Sequence, residues 1–419
     1  MSNMNHNNVR YDLSDKIIHF FRSVDPNNMD SPPLPEHWGF NSIENWDEPF
    51  SPFFMLRNAI RLGCLWATWS ERNGRRTIYG RDPVVCFTEM PIAAFIEAGQ
   101  DRSSHGEHMS PYGLVFNKES LFKKDARPVI YGLSGDVSVK NHPDGSRRIL
   151  EDQLPLREQF RYVTYNPTGT KPIDWTHERE WRWPLRNAPA IDPEDVPPEI
   201  ENLHGLELDT GEHRGLGVVV KSALQAEMVV HDILTKVDRG DIEQDQYAFV
   251  LPLESVANTS ELRDRKSLEN AIDHSTVDLS TYYKITEKHS ELLLKKFSAL
   301  ADKVEQEGPV PDWGEFGGCW LWITDPEHEL TRALLQQDRA HVTREGKYVV
   351  DLLEFSDRDL RQRESMTRQL ARLVEQEFGV HATYLSVLGH DDPDGVPFYN
   401  GDELENRKFY NHSDDKDDF

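Results

Sequence analysis

Cysteine is scarce in this chain of 419 residues: there are three, Cys64, Cys86 and Cys319, in no paired spacing. That excludes a disulfide framework and a cysteine-based zinc site, which need more thiols at closer intervals. Buried, apolar thiols are the expectation. Long apolar runs are missing too. No stretch approaches the roughly 18 consecutive apolar residues of a membrane span, and the Asn-rich residues 1–10 lack the hydrophobic segment of a signal peptide. A soluble protein of a reducing compartment, most simply cytoplasmic, is expected. Positive charge is short as well, with 47 Lys plus Arg against 73 Asp plus Glu and a net charge of −26. This excludes nonspecific coating of DNA or RNA, because that affinity comes from cations displacing phosphate counterions. It also argues against docking on anionic membranes. A local basic pocket for one phosphorylated ligand stays open. Aromatics, by contrast, are plentiful: 10 Trp, 13 Tyr and 19 Phe. Disordered chains are poor in them, so this one folds, and its length predicts two or three domains.

The strand and helix signals divide the chain. Residues 17–21 read as a first strand, carrying His19 and followed by Arg22. Ser51-Pro52 opens a helix with an N-cap serine and a proline in its first turn, and Gly63 stops it. Residues 83–88, 112–116, 128–131, 160–165, 178–185, 218–220 and 247–253 are strand candidates, with helices near 91–98 and 224–234. Residues 144–148 (DGSRR) read as a hairpin turn. Strands broken by short helices and irregular loops predict an α+β domain over 1–257. Residues 258–278 are charged and nearly free of aromatics and read as a linker or a solvated helix. From 279 to 413, a βαβαβ alternation with strands at 318–324, 347–355 and 384–388 predicts a smaller α/β domain. Residues 414–419 form an acidic tail.

The segment 175–184, WTHEREWRWP, is the most informative. Read as one strand, it places Glu178, Glu180 and Arg182 on one face and Arg179, Trp181 and Trp183 on the other. Two carboxylates two residues apart on a strand face lie about 7 Å from each other, close enough to address one small ligand. A solvated face with an internal Glu–Arg pair is the plainer reading. His19 in an apolar strand reads first as a satisfied core residue and second as a ligand. Thr88 and Glu89 end the strand VVCFT, where loops carry function. Tyr112 precedes Gly113, whose missing side chain allows close approach. There is no Walker loop, Rossmann glycine fingerprint, HExxH, EF-hand loop or GxSxG elbow. His105 and His108 have no third ligand at suitable spacing, so no metal site is assigned.

The order of these blocks is familiar. A strand with His19 and Arg22, a helix ending in Gly63-Cys64-Leu65-Trp66, then VVCFTEMP, YGLVFNKE, PVIY and WTHEREWRWP follow one another. This resembles AbiGi-type abortive phage-resistance proteins and a related uncharacterised bacterial family, over roughly residues 17–184. It is also similar to the DarT-like and wider ADP-ribosyltransferase fold, although no Ser-Thr-Ser strand motif is present. The resemblance implies an ADP-ribosyltransferase-like split sheet and an NAD-consuming activity in phage defence, with NAD as substrate. On it, His19 or Arg22 anchors the nicotinamide-side ribose or phosphate, Thr88 supports the site, and Tyr112 stacks on the nicotinamide. Arg182 belongs to the same NAD-binding set. Glu180, or Glu178, binds the ribose and stabilises the oxocarbenium charge. The segment DWGEFGGCWLWITDPEHELTRAL looks like another uncharacterised bacterial domain and implies no activity.

Two other functions compete. One is a noncatalytic antitoxin or sensor whose acidic surface binds a protein partner. The other is a nuclease using Glu89, Glu178 and Glu180 as Mg²⁺ ligands. The transferase reading requires His19, Thr88, Tyr112 and Glu180 to converge on one cleft.

Overall fold

The computed structural model describes residues 14–25, 49–72, 74–104, 109–133, 135–168, 172–186, 205–256, 258–312, 314–344, 346–395 and 397–400. The Asn-rich start, His105, His108 and the acidic tail lie outside the described residues. Two compact units share the chain. Residues 1–230, 243–277 and 412–419 form the first, and 231–242 with 278–411 form the second.

The first unit is built on a seven-stranded mixed sheet. Its strands are β1 (Lys16–Phe20), β2 (Val84–Thr88), β3 (Gly113–Asn117), β4 (Arg127–Pro128), β5 (Glu180–Pro184), β6 (Leu216–Val220) and β7 (Tyr247–Pro252). They lie in the order β7-β6-β3-β1-β2-β5-β4. Only β6 and β7 pair in parallel. Helix α1 (Pro52–Leu62) starts where Ser51 accepts the Phe54 N–H and ends at Gly63, left-handed at φ 65°, as its flanking residues predict. Helix α2 (Ile92–Ser104) packs on the sheet, where Ile18, Phe95, Ile96, Val115, Val219 and Leu251 form a buried core. Helix α3 (Ala223–Arg239) follows β6. The hairpin expected at 144–148 forms: Asp144 accepts the Ser146 N–H, Gly145 sits at φ 73°, and Arg147 pairs with Asn141.

Residues 258–278 are not a linker. They hold helix α4 (Arg265–His274), N-capped by Asp264, and Leu262, Leu268, Ala271 and Ile272 pack into the same core as α2. Their charge occupies the outer face of an amphipathic helix, which composition alone does not separate from a linker. The unit boundary differs as well, because residues 231–242 belong to the second unit.

In the second unit, helices α5 (Glu287–Glu307), α6 (Glu329–Gln336) and α7 (Leu360–Phe378) cover one face of a five-stranded sheet. Its strands are β8 (Gly317–Ile323), β9 (Ala340–Val342), β10 (Tyr348–Asp351), β11 (Ala382–Leu388) and β12 (Phe398–Asn400), in the order β9-β10-β8-β11-β12. Phe297, Leu334, Leu370 and Val374 meet Leu321, Ile323 and Val350 on the helix side, and Trp320, Trp322 and Leu385 line the other. Every ladder is antiparallel, so this unit is α+β and not the α/β domain that the βαβ alternation suggests. The reversal comes from a hairpin between β9 and β10, closed by the Thr343 N–H to Lys347 O bond and turned at Gly346, φ 82°. Among the described residues, no helix is long and apolar enough to cross a membrane.

Candidate functional site

The geometry around β2 decides which of the expected site residues meet. β2 pairs with β5 through five residues, with Glu180 opposite Thr88 and Arg182 opposite Cys86. Residues opposite one another in an antiparallel ladder share a face. Glu180, Arg182, Thr88 and Cys86 therefore point to one side, and Trp181 and Phe87 to the other. On its other edge β2 meets β1 in a single pair, Ile18 with Thr88. Beyond that pair the β1 backbone no longer bonds to β2. The His19 side chain takes the position, with Nδ1 at 2.8 Å from the Cys86 carbonyl. A carbonyl only accepts, so Nδ1 carries the proton.

His19 and Arg22, left as alternatives by the sequence, separate here. The His19 ring packs edge-on against Phe21 and Phe87, on the side away from Glu180. Burial pushes its imidazole down to about 4, helped by the Arg22 charge and opposed by the bond to Cys86. It is a neutral, satisfied strand histidine. Arg22 is exposed just past β1 and acts electrostatically on both the His19 ring and the Cys86 thiol.

The lowered His19 pKa makes the stability of the fold depend on pH. Below its ordinary 6.5, an unfolded chain binds a proton there that the folded chain refuses until about 4. Stability therefore falls as pH drops through that window and levels off beneath it. After discounting for its partial exposure, the contribution is about 2 kcal/mol. Urea unfolding at pH 7 and pH 4.5 should show a smaller acid loss in His19→Asn than in wild type. Equal losses would refute the assignment.

On the Glu180 face, Arg182 is almost fully buried and donates to both carboxylate oxygens, Nε to Oε1 at 2.7 Å and Nη2 to Oε2 at 3.2 Å. Its Nη1 donates to the carbonyls of Phe160 at 2.6 Å and Tyr162 at 3.3 Å. Arg182 is thus committed to the protein, a correction to its expected place among the NAD-binding residues. Burial opposes its charge, but Glu180, Cys86 and Tyr131 hold its pKa above the ordinary arginine value. Burial, with Glu180 and its hydrogen bond, pushes the Cys86 thiol up to about 12, so it is no nucleophile. Tyr131, from the strand Ile130–Leu133, is likewise pushed up to about 12 by burial and then by Glu180. Sequence reasoning missed Cys86 and Tyr131 because their contacts to Glu180 cross strands.

Two expected residues, Tyr112 and Glu178, do not fit their roles. Tyr112 is buried in another place, its ring 5.8 Å from Phe53 and its hydroxyl accepting from Gln225. The neighbouring Gly113 is small because Ile18 and Phe95 press on it, within 2.8 and 3.0 Å of where a Cβ would lie, not for a ligand. Thr88 is buried and donates to the Glu178 carbonyl at 2.6 Å while accepting the Met90 N–H, so it shapes the chain beneath Glu180. Glu178 is not on the strand. Residues Thr176–Glu178 form a 3₁₀ turn, Arg179 is left-handed at φ 46°, and β5 begins only at Glu180. The shared face of two carboxylates therefore fails, and Glu178 instead lies 3.4 Å from His177. His19, Thr88, Tyr112 and Glu180 do not converge on one cleft.

Glu89 accepts from Lys118 at 2.8 Å and from the Trp181 indole at 2.7 Å, on the side opposite Glu180. This separates the carboxylates of the nuclease reading. Among the described residues, no group of three or more His, Cys, Asp and Glu is placed to hold a metal ion.

Residues 282–412 match the model of a protein family of unknown function, DUF4427. No curated protein and no solved structure matches the chain.

Proposed function

We propose that the first unit is an NAD-consuming enzyme with Glu180 as its working carboxylate, an NAD glycohydrolase that splits the nicotinamide–ribose bond; the four-residue cleft of the transferase reading does not form. The resemblance of residues 17–184 to AbiGi-type proteins and to the DarT-like fold supports the class and its phage-defence setting. The observation that carries it to particular residues is the Glu180 face: a carboxylate at 20% exposure, held by Arg182, with the exposed cation Arg22 just past β1.

The chemistry needs these two charges. Breaking the bond between the ribose C1′ and nicotinamide leaves positive charge on the sugar, and a fixed carboxylate stabilises it as it develops. Arg22 is the first-strand residue suited to the pyrophosphate, because it is charged at neutral pH and His19 is not. The site is smaller than the resemblance implies, without Tyr112, Glu178 or the His19 side chain. The net charge of −26 is compatible with it, since one guanidinium at one place suffices for a dinucleotide.

Incubation of the full chain with NAD, with nicotinamide followed by chromatography, is the test. Release above a no-protein control is expected. NAD left intact, together with a stoichiometric protein partner recovered from the host, would replace this reading with the noncatalytic one.

A further inference from the structure

We propose that Arg182 is a positioning residue that fixes the Glu180 carboxylate, and that it does not contact the substrate. This rests on reading Glu180 as the working carboxylate, but its own basis is geometric. Glu180 and Arg182 are two apart on β5 and so share a face. The guanidinium meets the carboxylate fork to fork, through Nε and Nη2. Its far corner is pinned by two carbonyls, of Phe160 and Tyr162, where a 3₁₀ helix (Leu156–Arg161) hands over to the strand Tyr162–Tyr165. Those carbonyls hold the cation from behind, so it cannot swing toward a ligand without leaving buried acceptors unpaired. Lysine has no planar fork and cannot satisfy the carboxylate and both carbonyls together.

Arg182 therefore does two things. It stops the carboxylate from rotating, and it keeps both oxygens in the plane that a cationic transition state would meet. The other groups acting with Glu180 are the Cys86 thiol from β2 and the Tyr131 hydroxyl, with Glu178 in the preceding turn and Arg22 past β1. Neither neutral hydroxyl nor thiol substitutes for the guanidinium, and Arg22 is exposed to screening solvent.

The test is ¹³C relaxation of the Glu180 side chain at neutral pH in the full-length chain, in wild type, Arg182→Lys and Arg182→Gln, with nicotinamide release followed in the same samples. The Glu180 side chain should be rigid in wild type, mobile in Arg182→Gln and intermediate in Arg182→Lys, and kcat for nicotinamide release should fall in step with that loosening, with KM for NAD nearly unchanged. Unchanged side-chain order in folded Arg182→Gln overturns the proposal, and Arg182→Lys supplies that comparison if Arg182→Gln does not fold. A loosened Glu180 side chain in a protein whose wild type leaves NAD intact would keep the positioning role and discard the NAD reading.

Discussion

Asp238→Ala should destabilise the second unit by about 3–5 kcal/mol, the cost of leaving a buried guanidinium without its carboxylate. Asp238 and Arg332 have side-chain exposures of 4% and 5%. The Asp238 Oδ1 accepts from Arg332 Nη1 at 3.0 Å and from the Tyr283 hydroxyl at 2.9 Å, and Oδ2 accepts from Tyr348 at 2.8 Å. The guanidinium sits over the rings of Tyr282, Tyr283 and Tyr348, at 5.3 to 5.8 Å. One carboxylate thus satisfies an arginine and two tyrosines at once. Removing it takes the carboxylate from the buried Arg332 and Tyr348, while the exposed Tyr283 hydroxyl can turn to water; Asp238→Asn keeps the shape and part of the bonding and should cost less. Urea unfolding followed by Trp320 and Trp322 fluorescence measures this, and a loss under 1 kcal/mol would show that the network contributes little. A chain cut to the family segment, 282–412, lacks Asp238 and keeps Arg332, Tyr283 and Tyr348. It should show the same deficit.

That network was invisible in the sequence for a definable reason. Asp238 and Arg332 are 94 residues apart, and neither stands out among the 47 basic and 73 acidic residues of the chain. What was legible was local. Ser51-Pro52 and Gly63 marked both ends of α1, and PVVCFT marked β2, because capping and apolar patterning act within a few residues. The failures lie where distant hydrogen bonds override local pattern. WTHEREWRWP alternates well enough to be one strand, yet Thr88 and Tyr131 bind the carbonyls of Glu178 and Trp175 and bend its first half into a turn. Alternation likewise placed Glu180 and Arg182 together correctly, but not the commitment of Arg182 to Phe160 and Tyr162. His19 against Arg22 was undecidable from type alone. The decision came from the β1–β2 ladder, which ends after one pair and lets the imidazole bond to a backbone carbonyl.

Glu180→Gln is expected to lower nicotinamide release from NAD by about 10²–10³-fold, the scale on which a single preorganised charge acts on a transition state. The substitution is chosen to separate chemistry from folding. Glutamine keeps the length and planarity of glutamate, and its carbonyl oxygen still accepts from Arg182 Nε where Oε1 now sits at 2.7 Å. The lost partner is Nη2, a contact of 3.2 Å, so the stability cost should stay near 1–2 kcal/mol. What disappears is the full negative charge, and with it the stabilisation of the ribosyl cation. KM for NAD should change little, because the charge develops after binding. Glu89→Gln is the matched control. Glu89 is a partly buried carboxylate close in sequence to Thr88, but it faces Lys118 and Trp181 on the other side of the sheet. Nicotinamide release should survive that change within a few-fold. Full activity in Glu180→Gln, or equal losses in the two variants, would remove Glu180 from the reaction. A loss confined to Glu180→Gln in a protein with unchanged unfolding would tie the chemistry to the face that carries Cys86, Arg182 and Tyr131.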